Sequence, residues 1–146
     1  MQLKYLAIAG IIICGTAMHS IASVESEAVT ARTKAMSEIS DNMRVLGLML
    51  KGQVNFDLVS AKSAIQNIQK LADQTPRLFE IEAVDPHAEA KPEIWSNYED
   101  FVNKALNLKT AAIDAGGSLV DEDGLRDVVL SLGLSLIHIS EPTRPY

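Results

Sequence analysis

Residues Val29–Leu50 read VTARTKAMSEISDNMRVLGLML. Steps of three and four through this stretch pick out Val29, Arg32, Met36, Ile39, Met43, Leu46 and Leu50. That near-heptad line is what a helix shows when one side is buried against other helices. One member does not suit a plain core. Arg32 is a permanent cation, and an unpartnered guanidinium is costly to bury, so something anionic or wet is expected beside it. Two readings stay open at this point. In one, the Arg32 stem is packed and its head reaches water at the frayed end of a bundle helix. In the other, the guanidinium meets an anionic ligand inside the bundle. Met36, one turn further on, adds a soft and adaptable side chain to the same face.

Outward from this stretch, the same period recurs. Glu25 and Glu27 suit the positive N-terminal end of the first helix, and Lys51-Gly52 suits its end. Asn55 and Asp57 are candidate N-caps for a second helix with the seam Leu58, Ala61, Ile65, Ile68 and Ala72. Thr75-Pro76 is expected to stop it, because the residue before proline is pushed out of helical space. Residues 76–91 make a long connection containing Phe79 and Ile81. Pro92 fits the first position of a third helix carrying Ile94, Tyr98, Phe101, Ala105, Leu108 and Ala112 to near Gly116-Gly117. Asp121–Asp123 open a fourth, with Leu125, Val128, Val129 and Leu132. The expected fold is all-α, an antiparallel four-helix bundle with helices at about 26–51, 57–74, 93–115 and 121–139. Leu48 and Met49 lie off the main seam and are candidates for a partner surface.

The bundle is expected to follow a cleaved N-terminal signal peptide. A basic start, an apolar run from Tyr5 to Cys14 and Ser20-X-Ala22 before Val24 have the form of a secretory signal over residues 1–22. The apolar run is too short for a comfortable membrane span. Bulky Ile13 before Cys14 argues against a lipid-attachment site. Cys14 is the only cysteine, so the body beyond residue 22 has neither a disulfide framework nor a thiolate zinc site. The net charge is −6, evenly spread and without a basic stripe, which excludes nucleic acid as an expected partner. No nucleophile–base pair or acid–base dyad stands out, so an enzyme is not expected.

Several segments resemble the class II c-type cytochromes, the cytochrome c′ family. Ala31-Arg32-Thr33-Lys34-Ala35-Met36 is similar to the family's first-helix motif, and Lys51-Gly52-Gln53 with Phe56-Asp57 to its first turn. Leu78-Phe79, then Ala90-Lys91-Pro92-Glu93-Ile94-Trp95 and Phe101, are similar to its crossover and third helix. The resemblance runs from about Val29 to Gly133. It implies one haem c inside the bundle, attached through two thioethers at Cys-X-X-Cys-His on the fourth helix, whose His is the proximal iron ligand. It places Met36 at the open distal face and Arg32 at the propionate position. Thr33 and Glu89 take two further haem-contact positions, and Phe79 and Trp95 pack near the macrocycle. The implied setting is the periplasm of a Gram-negative-type bacterium. The implied work is electron transfer to a redox partner protein or binding of small diatomic gases, with a homodimer through the first two helices.

The attachment motif is absent. After Leu132-Gly133 the chain reads LSLIHISEPTRPY, residues 134–146, which resembles a translated adapter from sequencing libraries. Three units are therefore expected: a signal at 1–22, a bundle with an incomplete fourth helix at 23–133, and a non-native tail at 134–146. Leu136 and Ile139 nonetheless continue the fourth-helix seam. Two other functions remain in view. One is a bundle binding haem without covalent attachment, through Met36 and His138. The other is a metal-free sensor or interaction domain, for which bundles are common scaffolds.

Overall fold

A computed structural model describes residues 16–83 and 90–140, with side chains from Glu27 onward. It contains α1 (Thr16–Leu50), α2 (Leu58–Leu78), α3 (Glu93–Ser96), α4 (Tyr98–Ser118) and α5 (Leu125–Ser140), and the described residues include no strand. α1 packs on α2, α2 on α4 and α4 on α5, and α5 closes the ring against α1. The result is an antiparallel four-helix bundle with α3 as a single turn leading into α4.

The buried line of α1 is Arg32, Ala35, Ile39, Leu46 and Met49, with Met36 and Met43 half-buried beside it. Met49 is therefore a core residue, and Leu50, at the end of the expected seam, is exposed. Both ends of the apolar stripe were plausible from spacing, because 3.6 residues per turn drift across a heptad pattern by about 20° per repeat. α2 and α4 meet through small residues. Ala61, Ala64 and Ala72 face Ala105, Ala112 and Ala115 in one continuous core, with Ile65, Ile68, Phe101 and Leu108 between them. Small side chains bring the two axes close, and the large ones fill the gaps.

The first connection is written locally. Gly52 takes φ 66°, a left-handed conformation that suits glycine, and the Gly52 and Gln53 amides bond back to the Met49 and Leu48 carbonyls. Asp57 is the N-cap of α2, its carboxylate accepting from the Ser60 amide at 2.9 Å. The Ser60 hydroxyl and amide hold the Asp57 carboxyl below its usual value. A carboxyl lowered in the folded state stabilises above its unfolded pKa, about 3.9, and that contribution is lost as pH falls through the folded value. Asp57→Ala should thus unfold at lower urea than the parent at pH 7. The gap between the two should narrow below about pH 4 as the parent's carboxylate is protonated. A gap independent of pH would show that the cap's charge is not what matters.

Four boundaries differ from expectation. α1 begins at Thr16, inside the expected signal segment, because no glycine or proline interrupts the chain between Thr16 and Val45. α2 continues through Pro76 to Leu78. The bias before proline is overcome because Thr75 is buried with its hydroxyl on the Leu71 carbonyl at 2.8 Å, while the Tyr98 hydroxyl donates to the Pro76 carbonyl at 2.6 Å. The third helix breaks at Asn97, at φ −134° and ψ 53°, a residue type that competes poorly for helix interiors. Pro92 sits before α3 as its N-cap residue, not as its first helical position. The fourth bundle helix starts at Leu125, because Asp121 turns back to accept from the Gly124 amide at 3.3 Å. α5 then runs through residues 134–140, with Ile139 fully buried and Leu136 half-buried.

No described helix is long and apolar enough to cross a membrane.

Candidate functional site

One end of the bundle gathers the start of the α1 seam, the end of α2, the α3–α4 junction and the end of α5. Arg32 lies at its centre, only 3% exposed. The anion expected beside it is supplied by backbone dipoles. Arg32 Nε donates to the Leu78 carbonyl at 2.6 Å, Nη1 to the Ala83 carbonyl at 3.2 Å, and Nη2 to the Ile81 carbonyl. The guanidinium carbon is 5.1 Å from the Phe79 ring centre and 5.2 Å from that of Trp95, within cation–π range of both. The bland picture of a head in water is thereby corrected. Burial pushes the Arg32 guanidinium below its ordinary value, opposed by Tyr98, yet an arginine so placed stays charged.

Two more donors converge on the same segment. The Trp95 indole donates to the Phe79 carbonyl at 2.8 Å, and the Tyr98 hydroxyl to the Pro76 carbonyl. Burial raises the Tyr98 phenol, the Glu80 charge raises it further, and Arg32 opposes both. Phe79 and Phe101 pack at 4.9 Å between ring centres, tilted by 53°. Sequence reasoning marked Arg32, Phe79 and Trp95 but missed the carbonyls that hold them, since side-chain patterns carry no record of backbone acceptors. Tyr98 had a usable signal: a tyrosine in a helix seam needs a partner for its hydroxyl.

The remaining expected site residues divide. Met36 is half-buried and packs with Leu78 and Leu136 around Ala35, Ile39 and Leu71, so α1, α2 and α5 meet there. Thr33 is exposed on the flank of α1 and does not join the buried cluster, one residue being a turn of about 100° around a helix. Glu89 lies outside the described residues. His138 is exposed while Met36 faces inward, so the pairing of Met36 with His138 across a non-covalent haem is not formed.

A family model described as Cytochrome C′ matches residues 27–130. The chain belongs to the cytochrome c′ family. A cytochrome c-556 of Agrobacterium fabrum is 30% identical over 122 residues, covering 83% of this chain and 80% of that protein. A solved cytochrome c′ from Rhodopseudomonas palustris, 21% identical, superposes with a TM-score of 0.75 over 82% of this chain and 96% of that one. A nitric oxide complex of a cytochrome c prime variant from Alcaligenes xylosoxidans, 24% identical, superposes with a TM-score of 0.62 over 84% and 97%. At these identities the two structural likenesses speak for the fold.

Cytochrome c′ homologues bind haem c. Tested against that group, the side chains present here do not complete a site for it. Covalent attachment needs two thiols and an imidazole on one helix turn, whereas the single cysteine of this chain is Cys14 and the histidine of α5 is exposed. Among the described residues, no buried side-chain nitrogen or oxygen lacks a hydrogen-bond partner. The bundle end satisfies its own polar groups.

Proposed function

We propose that this bundle is the haem-binding body of a periplasmic class II c-type cytochrome that carries electrons or binds a diatomic gas, without its attachment segment in the present sequence. The observation that carries this reading is the placement of Arg32 and Met36. A buried cation and a soft side chain share one face of α1, at the bundle end where α5 delivers Leu136 and Ile139. Arg32 and Met36 are the proposed inner contacts, and Thr33 and Glu89 are further proposed haem contacts, Glu89 lying outside the described residues. The test is restoration of Cys-X-X-Cys-His after Gly133, read as covalent haem in a host that matures c-type cytochromes.

The partner proposal is a redox protein and a second copy of this chain meeting α1 and α2. With Met49 in the core, that dimer surface would use Val45, Leu48 and Val59, of which Val59 is 77% exposed. Sedimentation at micromolar concentration should show a dimer, and Val59→Lys should shift it towards monomer. A parent that sediments as a monomer contradicts it.

A metal-free interaction bundle is the second reading. It is favoured by one specific observation: each guanidinium nitrogen of Arg32 donates to a backbone carbonyl of this chain.

A further inference from the structure

The two ends of the α1–α2 pair are closed by different means. At the α1 end the closing bonds are local, running from residues 51–54 back to Gly47, Leu48 and Met49. The α2 end has as many local bonds, Phe79 to Thr75 and Pro76, Glu80 to Arg77, and Ala83 to Ile81, but its carbonyls are also reached from afar. The other carbonyl contacts come from distant helices. Tyr98 donates to Pro76, Trp95 to Phe79, and Arg32 to Leu78, Ile81 and Ala83. The segment between is tethered at both ends, with Phe79 and Ala83 buried, while Ile81 is 47% exposed even though its carbonyl turns inward to Arg32.

We infer that Arg32 is the latch of a strap, Phe79–Ala83, and that this bundle end opens as a unit separate from the rest of the fold when the latch is released. A helix end capped by its own sequence holds while its helix holds. The segment beyond the local Phe79 cap of α2, held by a side chain 46 to 51 residues away, holds only while that contact does. The guanidinium makes three charge-assisted contacts at once, to the Leu78, Ile81 and Ala83 carbonyls. Leu78, the last residue of α2, also packs in the cluster that holds Met36. The latch shares its guanidinium with the proposed haem contact, and its test is therefore read on the chain without haem.

The test is amide hydrogen exchange and acrylamide quenching of Trp95, the only tryptophan, on the whole chain. In Arg32→Gln the Phe79, Glu80 and Ala83 amides should exchange about tenfold faster or more. Trp95 should become more open to quenching, and the Gln53 and Val54 amides should keep their rates. Arg32→Lys retains the charge but loses the planar fork, and should fall between parent and Arg32→Gln. It also decides the matter if Arg32→Gln does not fold. Unchanged exchange at the strap, or equal acceleration at both ends, overturns the latch.

Discussion

Phe101→Ala should lower the unfolding free energy by about 3–5 kcal/mol, the range for removing a large buried aromatic. Phe101 is 2% exposed and contacts Phe79 at 4.9 Å and Tyr98 at 6.4 Å between ring centres. Its removal takes away the ring that Phe79 and Tyr98 pack on, a gap that a close-packed core closes only in part. The same ring braces Phe79, and through it the strap beneath Arg32, so the loss should exceed that from a cavity elsewhere. With a typical total of about 5–15 kcal/mol, such a loss removes a large part of the margin. Urea unfolding followed by circular dichroism measures it, with Ile113→Ala as control. Ile113 is 48% exposed and should change stability by no more than about 0.5 kcal/mol. Equal effects in the two variants would show that the aromatic cluster does not hold this end together.

What could be read from the chain was whatever neighbouring residues decide among themselves. The seams of α2 and α4 were visible in apolar spacing, and Ile65, Ile68, Phe101 and Leu108 are buried as that spacing implied. Asp57 as a cap and Gly52 as a terminator were visible because each acts within four residues of its partner. At Pro76 and Arg32 the difference comes from distant contacts. α2 outlasts Pro76 because Tyr98 holds the Pro76 carbonyl and Arg32 that of Leu78, and neither donor lies within twenty residues of its acceptor. Arg32 was recognisably out of place in a seam, but its partners are backbone oxygens that any residue would present. Met49 and Leu50 exchanged roles because adjacent positions at the edge of an apolar stripe differ by one step of helical drift.

The second large effect concerns the haem, and it is close to all-or-none. A chain continued after Gly133 with Cys-X-X-Cys-His should leave a c-type maturation host carrying covalent haem, because the thioether bonds require those two thiols. The sequence as it stands should carry none. In the extended chain, Arg32→Ala should weaken retention by about 1.5–3 kcal/mol if a charge-assisted contact to the haem is lost. The strap contacts of Arg32 go with it, so Arg32→Lys is the informative companion. Met36→Ala should leave attachment intact and alter the spectral response to carbon monoxide. An unchanged response would remove Met36 from the proposed site. The most direct measurement is a haem stain of the extended chain on a denaturing gel beside the chain in its present form. A stained band for the extended chain alone is the result expected of a class II cytochrome body. An unstained band, with the extended protein folded and exported, would contradict it.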